Sequence, residues 1–150
     1  MEEVRQFVVF RLGQEEYGVD ILQVNTIERM MPITRVPKAP YFVEGVINLR
    51  GEIVPVIDLR KRFGLPPGEI TGDTRIIIVM VDDLTVGMIV DSATEVIQLP
   101  QDAVEPAPSV AGNINSEFLE GVGKLNDKLL IILNLEKILR PSETEQRAIM

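Results

Sequence analysis

Residues Phe42-Val43-Glu44-Gly45-Val46 return as Phe118-Leu119-Glu120-Gly121-Val122, at a constant offset of 76. The match continues without a gap. Leu49 falls on Leu125, Asp58-Leu59-Arg60-Lys61 on Asn134-Leu135-Glu136-Lys137, and the apolar stretch 53–57 on 129–133. A second correspondence lies upstream at an offset of 69: Phe7-Val8-Val9-Phe10 on Ile76-Ile77-Ile78-Val79, and Tyr17-Gly18-Val19 on Val86-Gly87-Met88. Two matches in the same order mean two similar halves, so a structural reading of one half must also hold for the other. The halves differ in a connection where Pro100, Pro106 and Pro108 cluster.

Each half reads as a series of short strands. Residues 7–12 are rich in β-branched and aromatic side chains, residues 13–16 form a polar turn, and Tyr17-Gly18-Val19 restarts a strand. A helical turn near Ile21-Leu22-Gln23 precedes a strand through Ile27, and Pro32, Pro37 and Pro40 then mark a loop. Val46-Ile47-Asn48-Leu49 and residues 53–57 flank a tight turn at Arg50-Gly51-Glu52. Pro55 has no N–H for a ladder, which predicts an edge strand or a bulge. Residues 76–81 are a buried apolar strand. About five short strands per half suffice to close a small barrel and remove exposed sheet edges. The expected fold is all-β: two pseudo-symmetric five-stranded SH3-like β-barrels packed together, with short helical turns. One domain spans 5–140, with subdomains near 14–72 and 82–140, and a frayed tail at 141–150. Whether strands 7–12 and 75–81 are exchanged between the halves stays open at this point.

Composition narrows the chemistry. The chain has 150 residues, 45% of them hydrophobic, which supports a real core. It has no Cys and no His, so thiolate nucleophiles, imidazole acid–base chemistry and Cys/His zinc sites are all excluded. A net charge of −8 disfavours nucleic acid and anionic membrane surfaces, and the basic run Arg60-Lys61-Arg62 reads as a solvated strand or helix end. No apolar run reaches membrane-spanning length and the N-terminus lacks the basic region of a secretory signal, so a cytoplasmic protein is expected. No phosphate-binding glycine loop is present, and no cofactor or metal is expected.

The repeat also sorts individual residues. Gly45 recurs as Gly121, so close backbone approach or a positive φ is its first explanation. Phe42 and Phe118 read as core anchors, and Asp58 and Asn134 as caps of the following turns. Arg50 has Asn126 at its aligned position, so the shared fold does not require arginine there. Arginine is enriched at binding hot spots, which tilts Arg50 toward function. Glu15-Glu16 and Asp82-Asp83 fall in turns; an enzyme would need carboxylates converging from several segments in a groove between the halves.

The stretch from Phe42 to Arg60, with Asn48-Leu49-Arg50-Gly51 followed by Pro55-Val56-Ile57-Asp58-Leu59-Arg60, closely resembles the signature of the CheW family, the adaptors of bacterial chemotaxis. The likeness extends from Phe7 to Leu139 and includes Glu16-Tyr17-Gly18-Val19, Pro106-Ala107-Pro108 and the stretch 130–137. It implies a non-enzymatic coupler that binds the cytoplasmic tips of chemoreceptors and the regulatory domain of the histidine kinase CheA, and is monomeric when free. An adaptor for another two-component system is the alternative. In such proteins the segments holding Val24, Ile27 and Val96 line a groove for the receptor's helical hairpin, and Asn48, Leu49 and Arg50 add to the receptor-binding surface. The same resemblance points to Pro40, Tyr41, Val43 and Ile47 as an apolar kinase-binding patch at the end of the first barrel.

Overall fold

Among the described residues four two-residue hairpin turns organise the strands, and each begins with a residue in the left-handed region: Gly13, Arg50, Asp82 and Asn126. That geometry matches the right-handed twist of the flanking strands. A computed structural model describes residues 3–106 and 116–139; the connection 107–115 and residues 140–150, with the expected frayed tail, lie outside the described residues. In chain order the strands are β1 (Val4–Leu12), β2 (Glu15–Asp20), β3 (Val24–Arg29), β4 (Val43–Leu49) and β5 (Glu52–Asp58). After helix α1 (Leu59–Arg62) come β6 (Arg75–Val81), β7 (Leu84–Val90), β8 (Ser92–Pro100), β9 (Val104–Glu105), β10 (Leu119–Leu125), β11 (Lys128–Leu133) and helix α2 (Leu135–Leu139).

Among the described residues these strands form two sheets, ordered β3-β6-β7-β5-β4 and β8-β1-β2-β11-β10-β9. Each is an SH3-like barrel closed by its own chain. In the first, Thr34 exchanges two backbone hydrogen bonds with Val46 on the free side of β4, at 2.9 and 2.8 Å. In the second, β8 bends through the 3-10 turn Gln101–Ala103 into β9, which pairs with β10. Thr34 and Glu105 thus do equivalent work, opposite Val46 and Val122.

Sheet membership does not follow the repeat. The first barrel is continuous from β3 to β7, whereas the second combines β1 and β2 with β8 to β11. Subdomain limits at 14–72 and 82–140 therefore misplace β2 and β7, because whole hairpins, not single strands, sit in the other half's barrel. The reason lies in two-faced strands. Phe7 and Val9 fill the second barrel while Val8, Phe10 and Leu12 enter the seam between barrels. Ile76 and Ile78 fill the first barrel while Ile77, Val79 and Val81 enter the same seam. Strands buried on both faces read as unbroken apolar runs.

The chain crosses between barrels at two places, and an arginine–aspartate pair guards each. At the first, Arg5 bonds Asp20 at 3.0 Å, and Asp20 accepts from the Leu22 N–H to cap the 3-10 turn Ile21–Gln23. At the second, Arg60 Nε donates to Asp91 at 2.9 Å, and the Gly13 N–H donates to the same carboxylate at 2.7 Å. The Arg60 guanidinium holds the Asp91 carboxyl below the usual carboxylate range despite partial burial.

Pro55 does not mark an edge: β5 lies between β4 and β7. Its partner Val46 directs both backbone groups away, to Thr34, so the Val46–Pro55 pair is non-hydrogen-bonded and needs no proline N–H. Pairing with β7 begins one residue later, at Val56.

Tyr17 is 1% exposed and lies between the rings of Phe10 and Phe63, with centroids at 5.7 and 5.8 Å. Burial pushes its phenol up to about 12, from an ordinary value near 10. A raised folded-state value means stability that is complete below pH 10 and lost as pH rises toward 12. Urea unfolding across that window is expected to show a loss of roughly 2 kcal/mol. In Tyr17→Phe that component should vanish; identical alkaline profiles for both proteins would contradict the assignment.

Candidate functional site

The β4–β5 turn and β3 form one surface. Arg50 has φ 51, and its guanidinium reaches Glu28 on β3 at 3.2 Å while the side chain stays 67% exposed. The Asn48 side chain accepts from the Gly51 N–H at 2.9 Å, fixing the turn. Gly13, Asp82 and Asn126 occupy the matching position in the other hairpins, and these residue types tolerate the left-handed region. Arginine there costs about 1 kcal/mol with no structural return beyond an exposed ion pair. The structure therefore joins Arg50 to the strand that carries Val24 and Ile27, while Asn48 holds the turn that presents it.

Val24, Ile27 and Val96 fall on strands flanking the seam, and Leu49 does not. Val24 packs against the seam cluster, and Leu49 against the core of the first barrel. Ile27, on β3, is 43% exposed, and Val96, on β8, is 52% exposed. Strand β3 pairs with β6 and β8 pairs with β1, the two strands whose second faces fill the seam. The 3-10 turn Ile21–Gln23 touches both β1 and β6, and its Leu22 is among the most exposed large apolar side chains.

A second surface surrounds the connection from β3 to β4. Pro40, Tyr41 and Val43 line a cleft of about 640 Å³ with Arg35, Lys38 and Lys61. Tyr41 is 77% exposed, and the Lys61 ammonium lies 5.1 Å from its ring centroid. Lys61 is itself paired with Glu44 at 2.6 Å, which raises its pKa. Ile47 does not belong to this patch. It is 1% exposed and sits in the first barrel's core with Val54, Val56, Ile76 and Ile78. The cause is a bulge between Val43 and Gly45, which shifts the alternation of β4 and turns Ile47 inward.

The basic run 60–62 is not a solvated end. Arg60 holds Asp91 and the Pro66 carbonyl, Lys61 holds Glu44, and Arg62 reaches the end of α2. Arg62 Nε donates to the Ile138 carbonyl at 2.7 Å, while its guanidinium lies 4.4 Å from the Phe42 ring centroid and 4.7 Å from that of Phe118. Phe42 and Phe118 are repeat counterparts, and so are Arg62 and Ile138, so this one side chain bridges matching positions of the two halves. Asymmetry between the two copies was the signal that could have singled it out, as it did Arg50.

Capping accounts for Asp58. Its carboxylate accepts from the Arg60 and Lys61 N–H groups, and burial still holds its pKa above the ordinary range. A further cleft, of about 260 Å³, brings Glu16, Glu95 and Asp127 to the β10–β11 end of the second barrel. Glu16 lies 3.7 Å from Lys128 there, and among the described residues no group of carboxylates could hold a metal ion. No helix among them is long and apolar enough to cross a membrane.

Two SH3-like barrels sharing one apolar seam, with recognition candidates on turns and connections, define a duplicated-barrel scaffold. A family model for the CheW-like domain matches residues 6–143, and the chain belongs to that family. It is 40% identical to the chemotaxis protein CheW of Bacillus subtilis, over 96% of this chain and 92% of that one. It is 39% identical to the chemotaxis protein CheW of Klebsiella aerogenes, over 93% of this chain and 84% of that one. Among solved structures, the scaffolding protein TtCheW from Thermoanaerobacter tengcongensis superposes with a TM-score of 0.86 at 41% identity, covering 95% and 92% of the two chains.

Proposed function

We propose that this protein is a non-catalytic chemotaxis adaptor that couples chemoreceptors to the histidine kinase CheA. It works in the cytoplasm as a monomer until recruited to membrane-associated receptor arrays. The receptor's helical hairpin docks along the seam at Val24, Ile27 and Val96, with Asn48, Leu49 and Arg50 at its side. The CheA regulatory domain takes the connection at Pro40, Tyr41 and Val43. The observation that carries the reading is Arg50: a residue ill-suited to its backbone conformation, exposed, and tied to β3 through Glu28.

Pull-downs with a receptor-tip fragment and the kinase regulatory domain, separately and together, test the coupling. Failure of the unaltered protein to bind either partner would sink it. Arg50→Asn separates function from fold. It should raise unfolding stability by about 0.5–1 kcal/mol, because asparagine suits the turn. Receptor-tip affinity should fall about tenfold, as for loss of one hot-spot arginine, and Arg50→Glu should lose at least as much. Unchanged affinity in both variants would move the receptor surface elsewhere.

A further inference from the structure

The cleft between β3 and β4 has a charge character opposite to that of the whole chain. The protein carries a net −8, yet Arg35, Lys38 and Lys61 rim this cleft with Glu44 as its carboxylate. Lys61 and Glu44 neutralise each other. Arg35 and Lys38 are exposed, and neither has an ion pair or side-chain hydrogen bond with another described residue. Two positive charges therefore face solvent beside an apolar wall.

Lys38 is also conformationally out of place. Its φ is 63, in a turn after Pro37 where glycine or asparagine would sit without strain. A lysine held in that region, with its amine unused inside the molecule, points to use outside it. The wall beside it is built for contact: Val36 is 44% exposed and Tyr41 77% exposed, and the Lys61 ammonium lies 5.1 Å from the Tyr41 ring centroid. An exposed aromatic with an apolar neighbour suits an inserted apolar side chain. Two unpaired cations are too few for a nucleic-acid track but suit one or two carboxylates.

We infer that this cleft binds an acidic segment of the kinase regulatory domain, seating an apolar side chain against Val36 and Tyr41 while flanking carboxylates meet Arg35 and Lys38. The inference rests on the kinase-binding reading given above and adds the chemistry of the partner's segment. Charges on such a rim act mainly by speeding encounter, and salt screens them.

The test measures association of the full chain with a CheA regulatory domain at low and high salt. The double variant R35E/K38E should associate about tenfold more slowly at low salt and nearly as fast as the unaltered protein at high salt. Both side chains are exposed, so the variant should fold, and its receptor-tip binding should stay unchanged as an internal check. Lys38→Arg should keep the fast association, and Tyr41→Ala should speed dissociation instead. If R35E/K38E associates as fast as the unaltered protein, this inference alone is overturned. If the unaltered protein does not bind the domain, the kinase-binding reading fails and this inference with it.

Discussion

Gly45→Ala is expected to destabilise the protein by about 4 kcal/mol, combining two lost hydrogen bonds with backbone strain. A Cβ at Gly45 would stand 2.0 Å from the Thr34 carbonyl oxygen, and φ there is +150. The obstructing atom is backbone, so no rotamer change can relieve the clash. Relief requires the Thr34 segment to lift off β4, and that breaks both of its hydrogen bonds to Val46 and opens the first barrel. Urea unfolding should show a large fall in midpoint, and the Val46 amide should lose its hydrogen-exchange protection ahead of the rest of the barrel. Gly51→Ala is the control. Its φ is also positive, at +89, but nothing lies within 4 Å of the added methyl, so its cost should stay near 1 kcal/mol. Equal effects at the two positions would refute barrel closure as the role of Gly45. Gly121, whose Cβ would meet the Glu105 carbonyl oxygen at 2.5 Å, should behave like Gly45.

The second large effect is expected at Arg62, where alanine should cost about 3 kcal/mol. Two ring contacts at roughly 0.5–1 kcal/mol each are lost, and the Ile138 and Lys137 carbonyls at the end of α2 lose their donor. Those carbonyls close a short helix whose Leu135 and Ile138 anchor the seam, so the loss should extend to packing between the barrels. The variant Arg62→Lys keeps the charge but lacks the planar fork and its Nε donor, so it should recover less than half of the loss. Full recovery by lysine would reduce the role of Arg62 to a simple charge.

Much of the scaffold was legible because it is local and appears twice. The FxEGV copies led to Gly45 and Gly121 as sites of close approach, and each now faces a backbone carbonyl from the strand or bridge that closes its barrel. Asp58 and Asn134 cap the following helices, and the backbone N–H of each bonds the carbonyl of its repeat's phenylalanine at 2.8 Å. The contrast between Arg50 and Asn126 gained a backbone basis: both are left-handed, at φ 51 and 56, and only asparagine suits that region. Comparing copies thus separated scaffold from the additions of one half.

The sequence by itself determined the duplication, the all-β class, the hairpin turns and the residues that both halves need. These follow from side-chain alternation, turn chemistry and capping, all set by neighbours a few positions apart. Tertiary structure alone decided which barrel receives each opening hairpin, because β1 and β6 are apolar on both faces and locally suit either one. It turned Ile47 inward through a bulge that shifts strand parity by one residue, and it made Pro55 acceptable inside a sheet by aiming Val46 at Thr34. It also turned the basic run 60–62 inward, onto partners elsewhere in the fold, and left Arg35 and Lys38 facing solvent across the cleft. Charge pairing over such distances along the chain depends on where the folded backbone brings each group, and no local pattern encodes it.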